Sequence, residues 1–392
     1  MSFANVLNQE IPKKILSGAL KKDMLPSAYL FYGGVGTGKW ALALEVAKAI
    51  NCENLQIPSK AGNENPACDQ CLSCRKIEKL IHPDVKMIFP IPFASPKTQA
   101  ERDKKQEAIE KFKKDKIQEP YTIVKFDKNV NIPVDEIREM QSKLYLKPFE
   151  GKRKVVIITE VENMHPSSAN SLLKTLEEPP KDSHLILTTT DINRLFPTVV
   201  SRCQQIRFAK IPSFLIEKRL KERYQIPEEK AFFYAKISNG SLGKALDFLQ
   251  GEKENIRQDA ILLIQTSIES NTGKIIDQVD ALQSKWDKNS ILEMLEFLIS
   301  LFRDIYLTLE TFKTDKEQLL NYDIASEVVK LSERFKRQNK VEEVLKLVDR
   351  IRTDCKTKNV NLKLALLTLC LELRDLVHNK PIHYNVRSGL IG

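Results

Sequence analysis

The sequence has no apolar run that reaches the ~18 residues needed to cross a membrane, so a membrane-spanning helix is not expected. Its start, residues 1–10, lacks the basic head and the apolar core of a secretory signal. Both absences favour a cytoplasmic protein with no membrane partner. Because cytoplasmic thiols stay reduced, the seven cysteines are not expected to form a disulfide framework.

Acidic residues are in the minority, since 52 Asp and Glu face 62 Lys and Arg, and the pI is near 9.0. The net charge of +10 fits a partner that is nucleic acid or is otherwise acidic. A lysine-rich protein surface explains the same balance equally well. The 392 residues exceed one ordinary domain and predict two or three.

The order of patterns along the chain predicts three segments without an internal repeat. Residues 1–208 alternate apolar, strand-like runs with helical patterns, the rhythm of an α/β domain with a parallel sheet. Residues 209–253 indicate a short helical segment, and residues 254–392 an all-α segment. The predicted strands are 28–32, 155–158 and 185–188, and the apolar stripes of the last segment are Ile291, Leu295, Leu298, Phe302 and Ile305, then Leu362, Ala365, Leu366, Leu369 and Leu373.

A glycine-rich loop directly follows the first predicted strand and precedes a helical pattern. A phosphate-binding P-loop requires this context, because its glycines let backbone N–H groups turn toward the phosphates. The lysine at its end would reach the terminal phosphates of ATP or ADP. A chance glycine turn is the alternative. The candidate nucleotide-binding residues of the loop are Gly33, Gly36, Thr37, Gly38 and Lys39.

Two groups with which such a site holds magnesium are missing. The residue after Lys39 should carry a hydroxyl that binds Mg²⁺, but the sequence has Trp40. An Asp should follow the strand at 155–158, but the sequence has Thr159, and then Glu160 at the place of a residue that orients water. Because both missing groups would bind the same Mg²⁺ ion, the sequence predicts a site that does not hydrolyse ATP. Whether the site binds a nucleotide is left undecided by the sequence. The alternative is a core strand unrelated to nucleotide.

Residues 97–117 interrupt the α/β pattern with eight Lys and Arg against five Asp and Glu. A basic arm for DNA is one interpretation. A solvated helix or a mobile insertion is the favoured one, because such charge runs are most often solvent-facing.

Four of the cysteines are close together in a short polar segment. One cysteine is followed, after fifteen intervening residues, by Cys-x2-Cys-x2-Cys, a set that suits a tetrahedral zinc site. An iron–sulfur cluster is the rival, although the Cys-Pro that follows in ferredoxins is absent. Buried free thiols are a third interpretation. The candidate metal ligands are Cys52, Cys68, Cys71 and Cys74.

Residues 170–180, NSLLKTLEEPP, form an amphipathic helical pattern stopped by two prolines, and Ser201-Arg202-Cys203 lies beyond the next strand. Together with NQE at 8–10 and LPSAYLFYG at 25–33, these motifs resemble the bacterial and eukaryotic clamp-loader AAA+ family. The resemblance covers about the first half of the chain and continues more weakly at residues 240–246.

The resemblance implies roles for single residues. Arg202 matches the arginine finger, which reaches the ATP site of a neighbouring subunit and neutralises transition-state charge. Without the motif, a surface salt bridge would be the preferred interpretation of Arg202. Thr189 falls near the sensor-1 position, and Lys244 matches sensor 2, which touches the nucleotide from the lid. The resemblance also implies a structural zinc module at about residues 51–82.

The expected architecture is an AAA+ P-loop NTPase-like domain with a helical lid and an all-α collar domain. The expected function is that of a non-hydrolysing, delta-prime-like subunit of the bacterial DNA polymerase III clamp loader. By resemblance, its partners would be gamma/tau and delta subunits in a five-subunit ring that loads the sliding clamp onto primed DNA. The alternatives are an active gamma/tau-type ATPase and a DNA-binding or regulatory AAA+ protein that works without a clamp.

Overall fold

The structure is a computed structural model that describes residues 3, 6–55, 66–92, 96–126, 130–250, 252–269, 271–311, 319–335, 338–358 and 360–378. Residues 56–65 of the predicted zinc module and 379–392 of the predicted collar domain lie outside the described residues. The chain divides into two compact units, Met1–Asp247 and Phe248–Gly392. The three-part division from the sequence stays a prediction. Among the described helices, none is long and apolar enough to cross a membrane.

The first unit alternates strands and helices and ends in three helices. Its strands are β1 (Ala28–Tyr32), β2 (Val85–Ile88), β3 (Lys154–Ile158), β4 (Ser183–Thr189) and β5 (Gln204–Arg207). Its helices are α1 (Glu10–Lys21), α2 (Lys39–Asn51), α3 (Leu72–Glu78), α4 (Gln99–Gln118), α5 (Val134–Leu144), α6 (Pro166–Glu177), α7 (Pro197–Val200), α8 (Ser213–Tyr224), α9 (Glu228–Ile237) and α10 (Leu242–Asp247).

The strands form one five-stranded sheet in the order β2-β3-β4-β1-β5, and every neighbouring pair is parallel. The three predicted strands are β1, β3 and β4, at the centre of the sheet. Their apolar runs are continuous because helices cover both faces of a parallel sheet, and β4 is buried along its whole length. The carboxyl ends of parallel strands share one edge of the sheet, so the segments after β1, β3 and β4 lie together there.

Local sequence explains where the neighbouring helices begin and end. Helix α6 starts with Pro166, whose missing N–H is not needed in a first turn, and it ends at Glu177 before the two prolines. Helix α4 starts after Thr98 with a reciprocal capping box, in which Thr98 Oγ1 accepts from Glu101 N–H and the Glu101 carboxylate accepts from Thr98 N–H. The charged insertion is therefore an ordered helix over Gln99–Gln118.

In its described residues, the second unit contains helices and their connections but no strand. Its helices are α11 (Glu252–Glu269), α12 (Thr272–Lys285), α13 (Lys288–Thr311), α14 (Ala325–Phe335), α15 (Gln338–Thr357) and α16 (Leu362–Val377). Both predicted apolar stripes lie in its core, one on α13 and one on α16, with Leu362 at the partly buried margin. The predicted fold class, a P-loop-type parallel sheet followed by a helical C-terminal segment, is confirmed.

Candidate functional site

The P-loop connects the end of β1 to the start of α2. Gly36 and Gly38 have φ angles of +66° and +100°, which favour glycine because it has no Cβ. The buried Gln9 side chain holds the loop, since its Nε2 donates to the carbonyl oxygens of Thr37 (3.2 Å) and Ala209 (2.9 Å). The predicted loop residues are thus in the strand–loop–helix geometry that a P-loop requires.

The Lys39 ammonium group is turned back onto its own loop. Its Nζ donates to the carbonyl oxygens of Gly33 at 2.5 Å and Gly34 at 2.6 Å. Burial lowers the pKa of Lys39 to about 8, although the negative charges of Glu162 and Glu160 oppose that shift. To bind a phosphate, this lysine would have to give up both carbonyl contacts.

Trp40 takes the place of the magnesium-binding hydroxyl in the first turn of α2. Its side chain is buried, and its ring meets the Phe112 ring edge-on, at 87° with centroids 5.5 Å apart. Phe112 in turn stacks on Phe89 at 3.6 Å. The indole N–H of Trp40 is buried without a hydrogen-bond partner among the described residues. An indole has no acceptor that could hold Mg²⁺.

The segment after β3 carries Thr159 and Glu160. Thr159 continues the sheet by donating its N–H to Ile88 O, while its hydroxyl has no partner among the described residues. Glu160 lies in the left-handed region, at φ +50°. Burial and the nearby Glu162 charge raise the pKa of the Glu160 carboxyl, although Lys116 and Lys39 oppose this shift.

The end of β4 presents neighbouring threonines in alternate directions. Thr188 and Thr190 line the same cavity as Thr159 and Glu160. Thr189, the residue predicted near the sensor-1 position, instead donates its hydroxyl to the Asp191 carbonyl oxygen at 3.1 Å. This alternation follows from the period of two along a strand. The sensor-1 role of Thr189 stays a prediction.

The start of α10 packs directly against the P-loop. Gly243 N–H donates to Gly36 O at 3.3 Å, and a Cβ at Gly36 would lie 2.4 Å from Ser241 Oγ. Lys244 is half-buried, and its N–H donates to Ser241 Oγ at 3.1 Å. Lys244 is outside the set of described residues that line the cavity, so its sensor-2 role also stays a prediction.

One small cavity lies in front of the P-loop. It measures about 80 Å³, and the predicted site residues Gly36, Gly38, Lys39 and Glu160 line it together with the threonines after β3 and β4. Residues 120–124 line it as well, and so do Phe112 and Lys116 on the inner face of α4. This volume is below the about 300–1,000 Å³ of pockets that bury a drug-sized ligand.

Arg202 lies on the surface of the first unit, after α7. Its Nη2 is 2.7 Å from the Glu177 carboxylate, and its Nη1 donates to Thr198 O at 3.0 Å. About a third of the Arg202 side chain is exposed, at 35%. The arginine therefore has both a surface position and an intramolecular ion-pair partner.

The four predicted metal ligands meet at one point. The Sγ atoms of Cys52, Cys68, Cys71 and Cys74 all lie within 4.8 Å of one another. Zn–S bonds of about 2.3 Å in a tetrahedron put sulfurs about 3.8 Å apart, so one metal ion fits with a small contraction of the cluster. Neighbouring N–H groups already point at the sulfurs, from Cys68 to Cys52 Sγ and from Cys71 to Cys68 Sγ, both at 3.3 Å.

A buried ion pair ties the cysteine segment to the sheet domain. Lys48 on α2 is fully buried, and its Nζ contacts Glu45 at 2.8 Å and Asp69 at 2.6 Å. Burial by itself would lower the Lys48 pKa, but the Glu45 charge and the hydrogen bonds that Lys48 donates to Asp69 and Glu45 outweigh it and raise the pKa. Because an unpaired buried charge is costly, Asp69 fixes the loop that carries the cysteines.

Several residues that shape the site were not predicted from the sequence. Phe112, Lys116 and Tyr121 wall the cavity, and Glu177 holds Arg202. The signal for the first two was present, because an aromatic and a lysine four residues apart share one face of a helix. Tyr121 is fixed by long-range contacts that no local pattern reveals.

Comparison with known proteins places the chain in a family. Residues 8–212, more than half of the chain, match the protein-family profile described as "DNA polymerase III, delta subunit". The chain belongs to the DNA polymerase III clamp-loader family. Its relatives in that family are named for both the gamma/tau and the delta' subunits.

Three relatives illustrate the match. DNA polymerase III subunit gamma/tau of Mycoplasma genitalium is 32% identical over 64% of this chain and 35% of its own length. DNA polymerase III subunit tau of Bacillus subtilis is 29% identical over 78% and 50%. Subunit delta' of Bacillus subtilis is 26% identical over 77% and 78%. The chain thus spans between 30% and 50% of the length of the first three curated relatives.

One solved structure also matches most of this chain. It is described as a DNA polymerase III, gamma subunit-related protein from Thermotoga maritima, and it is 16% identical. The match covers 94% of this chain and 100% of that one, with a TM-score of 0.47.

Proposed function

We propose that this chain is a non-hydrolysing, delta-prime-like subunit of the bacterial DNA polymerase III clamp loader. One observation carries the proposal: Trp40 and Thr159 occupy the two positions from which a P-loop ATPase holds Mg²⁺, and both line the same cavity. Magnesium prefers oxygen ligands in near-octahedral geometry, and an indole supplies none. The gamma/tau and delta' names of the relatives support the clamp-loader role in general.

The chain would contribute to catalysis through Arg202, in an ATP site that another subunit builds. Its exposed position and its place in the Ser-Arg-Cys motif support this role. A guanidinium placed against the transferred phosphoryl group stabilises the charge that develops in the transition state. The Glu177 ion pair keeps the side chain in place until such a site replaces it.

The proposed partners are gamma/tau and delta subunits in a ring of five, and the proposed cargo is a sliding clamp placed on primed DNA. A replication role of this kind would place the chain in the cytoplasm. The helical second unit would serve as the collar that packs against its counterparts. The chain would reach DNA through the assembled complex, and the proposal includes no direct contact between this chain and DNA.

The cysteine cluster would hold one structural zinc ion. Metal analysis of the purified full chain should find one zinc per chain, and Cys74→Ser should lose it. The matched control is Cys355→Ser, which changes a buried cysteine in the second unit and should keep the metal. Iron with sulfide in the purified protein, or equal metal content in both variants, would contradict the zinc assignment.

The decisive experiment for the function is ATP turnover by the purified subunit alone. We expect negligible Mg²⁺-dependent hydrolysis, and any residual turnover should persist in Lys39→Ala because it comes from a contaminant. Turnover that disappears in Lys39→Ala would contradict the proposal. Trp40→Thr combined with Thr159→Asp restores the two missing groups and tests whether they alone limit turnover.

An active gamma/tau-type ATPase is the second candidate, because the first curated relatives carry that name. Reconstitution with gamma/tau and delta subunits separates the two. A delta-prime-like chain should enter the ring as one copy beside gamma/tau, and DNA-stimulated turnover should then depend on Arg202. A chain that replaces gamma/tau in the ring and sustains turnover by itself would establish the second candidate.

A further inference from the structure

We propose that residues 112–124 are an intramolecular occupant of the nucleotide site, so that the chain excludes ATP and ADP from its own P-loop. The proposed function leaves open whether the P-loop holds a nucleotide without hydrolysing it. The inference rests on that function in one respect, since only a non-hydrolysing subunit can keep its P-loop closed. The charged insertion thereby gains a role other than DNA binding.

The first half of the occupant is the inner face of α4. Phe112 and Lys116 lie one turn apart on the same face of this helix. Phe112 is buried between Phe89 and Trp40, and Lys116 Nζ stands 5.6 Å from the centre of the Trp40 ring. Trp40, the residue that replaces the magnesium-binding hydroxyl, is therefore the surface on which the insertion docks.

The second half is Tyr121, which lies on the P-loop itself. Its hydroxyl accepts from Leu7 N–H at 2.8 Å, and a Cβ at Gly38 would lie only 2.9 Å from that hydroxyl oxygen. On its other side, a Cβ at Gly243 would lie 2.5 Å from Tyr121 O. Tyr121 is 2% exposed, so it fills the space between the N-terminal segment, the loop and α10.

Polar contacts hold this segment at both ends of its turn. Lys116 Nζ donates to Pro120 O at 3.3 Å and to Thr122 O at 2.6 Å, which closes the chain back onto α4. Glu119 accepts from the Tyr224 hydroxyl and lies 3.2 Å from Arg223, both on α8. These contacts hold residues 116–122 in one defined position against α4 and α8.

The charges in the cavity agree with a site that holds no phosphate. Lys39 is engaged by the loop carbonyls of Gly33 and Gly34, and Lys116 by the carbonyls after α4. A nucleotide would have to displace residues 112–124 before its phosphates could reach the loop N–H groups.

The test is nucleotide binding by the full chain, measured with ATP and with ADP in EDTA so that the missing magnesium ligands play no part. The chain has two tryptophans, so Trp286→Phe leaves Trp40 as the only fluorescent indole, packed against Phe112. Lys116→Ala with Tyr121→Ala removes the inner contacts of the occupant. Lys113→Ala, at an exposed position of the same helix, is the matched control.

We expect wild type and Lys113→Ala to show no binding and no change in Trp40 emission with either nucleotide at concentrations up to millimolar, and this limit is the reference for the variants. The double variant should bind at least ~100-fold more tightly, which is the gain expected when a state that is closed about 99% of the time is opened. That gain should vanish when Lys39→Ala is added. Micromolar binding by wild type, or a folded double variant that still binds nothing, would overturn the proposal.

Should the double variant fail to fold, Tyr121→Ala alone is the second variant, and hydrogen exchange on wild type is the second measurement. The amides of residues 112–124 should exchange as slowly with millimolar ATP as without it. Faster exchange at these residues in the presence of ATP would mean that the nucleotide displaces residues 112–124, which would contradict the proposal. Hydrolysis and ring assembly are read separately, so a failure of the proposed function remains distinguishable.

Discussion

The P-loop cavity and the surface around Arg202 belong to the same compact unit. Their charged side chains differ in how firmly the chain itself binds them and in how exposed they are. In the cavity, Lys39 and Lys116 are engaged by backbone carbonyl oxygens, and Lys116 also lies over the Trp40 and Phe112 rings. At the surface, Arg202 is held by one carboxylate and one carbonyl and remains about a third exposed.

The difference shows which charges can still act on a substrate. A lysine enclosed by its own chain must break several contacts before it can bind a phosphate. An arginine in an exposed ion pair gives up little, because such pairs contribute only about 0–1 kcal/mol. Under the proposed function, the unit hydrolyses no ATP of its own and acts in the ATP site of a neighbouring subunit.

The largest expected effect is on the neighbour's chemistry. Arg202→Ala in the reconstituted clamp loader should reduce turnover at the one site it serves by about 10³–10⁵-fold, as for other arginine fingers. Arg202→Lys should rescue little, because a lysine cannot reproduce the planar donor pair. The measurement is single-turnover ATP hydrolysis stimulated by clamp and DNA, after assembly is verified.

The control for Arg202 is Arg194→Ala, which removes an exposed arginine from the same stretch of chain. It should leave turnover unchanged. If Arg202→Ala assembles normally and hydrolysis and clamp loading match wild type, Arg202 is only a surface residue. The contrast between the closed cavity and the open surface would then have no catalytic meaning.

A smaller effect should show that the cavity wall is packed like a core. Phe112→Ala removes a ring that is 6% exposed, so it should lower the free energy of unfolding of the first unit by about 3–5 kcal/mol. Trp40 fluorescence in a Trp286→Phe background reports on this unit alone. Phe149→Ala, at an 85% exposed position, should change stability by less than about 0.5 kcal/mol. Equal effects of the two variants would mean that α4 lies loosely on the sheet.

The sheet was largely predictable because its central strands are continuous apolar runs. The edge strands were not predicted, for physical reasons. In β5, only Ile206 is buried and its three neighbours are exposed, so the strand carries little hydrophobic signal. In β2, four residues that include Lys86 are too few to show a period.

The parts of the candidate site that depend on a short sequence motif were predictable. The P-loop glycines, the four cysteines and the Ser-Arg-Cys motif each lie in one short stretch. The occupant of the P-loop was not predictable, because it depends on contacts such as that between Tyr121 and Leu7, which are 114 residues apart. The charge pattern of residues 97–117 instead favoured a solvated helix or a mobile insertion. Most of α4 is solvent-facing, but the face that carries the buried Ala108 and Phe112 is not.

The smallest expected effect concerns the pair that keeps Arg202 in place. Glu177→Gln removes the carboxylate charge but keeps an oxygen that can accept from the guanidinium. Both side chains are exposed, at 35% for Arg202 and 49% for Glu177, so the free energy of unfolding should fall by no more than about 1 kcal/mol. In the assembled loader, turnover should stay within about fivefold of wild type, because even the full pair energy of about 1 kcal/mol corresponds to a factor of that order. Glu178→Gln is the matched control, with the same charge change at the next exposed position. A loss of turnover in Glu177→Gln as large as that in Arg202→Ala, with Glu178→Gln normal, would mean that Glu177 positions the arginine in the working site and does more than hold it beforehand.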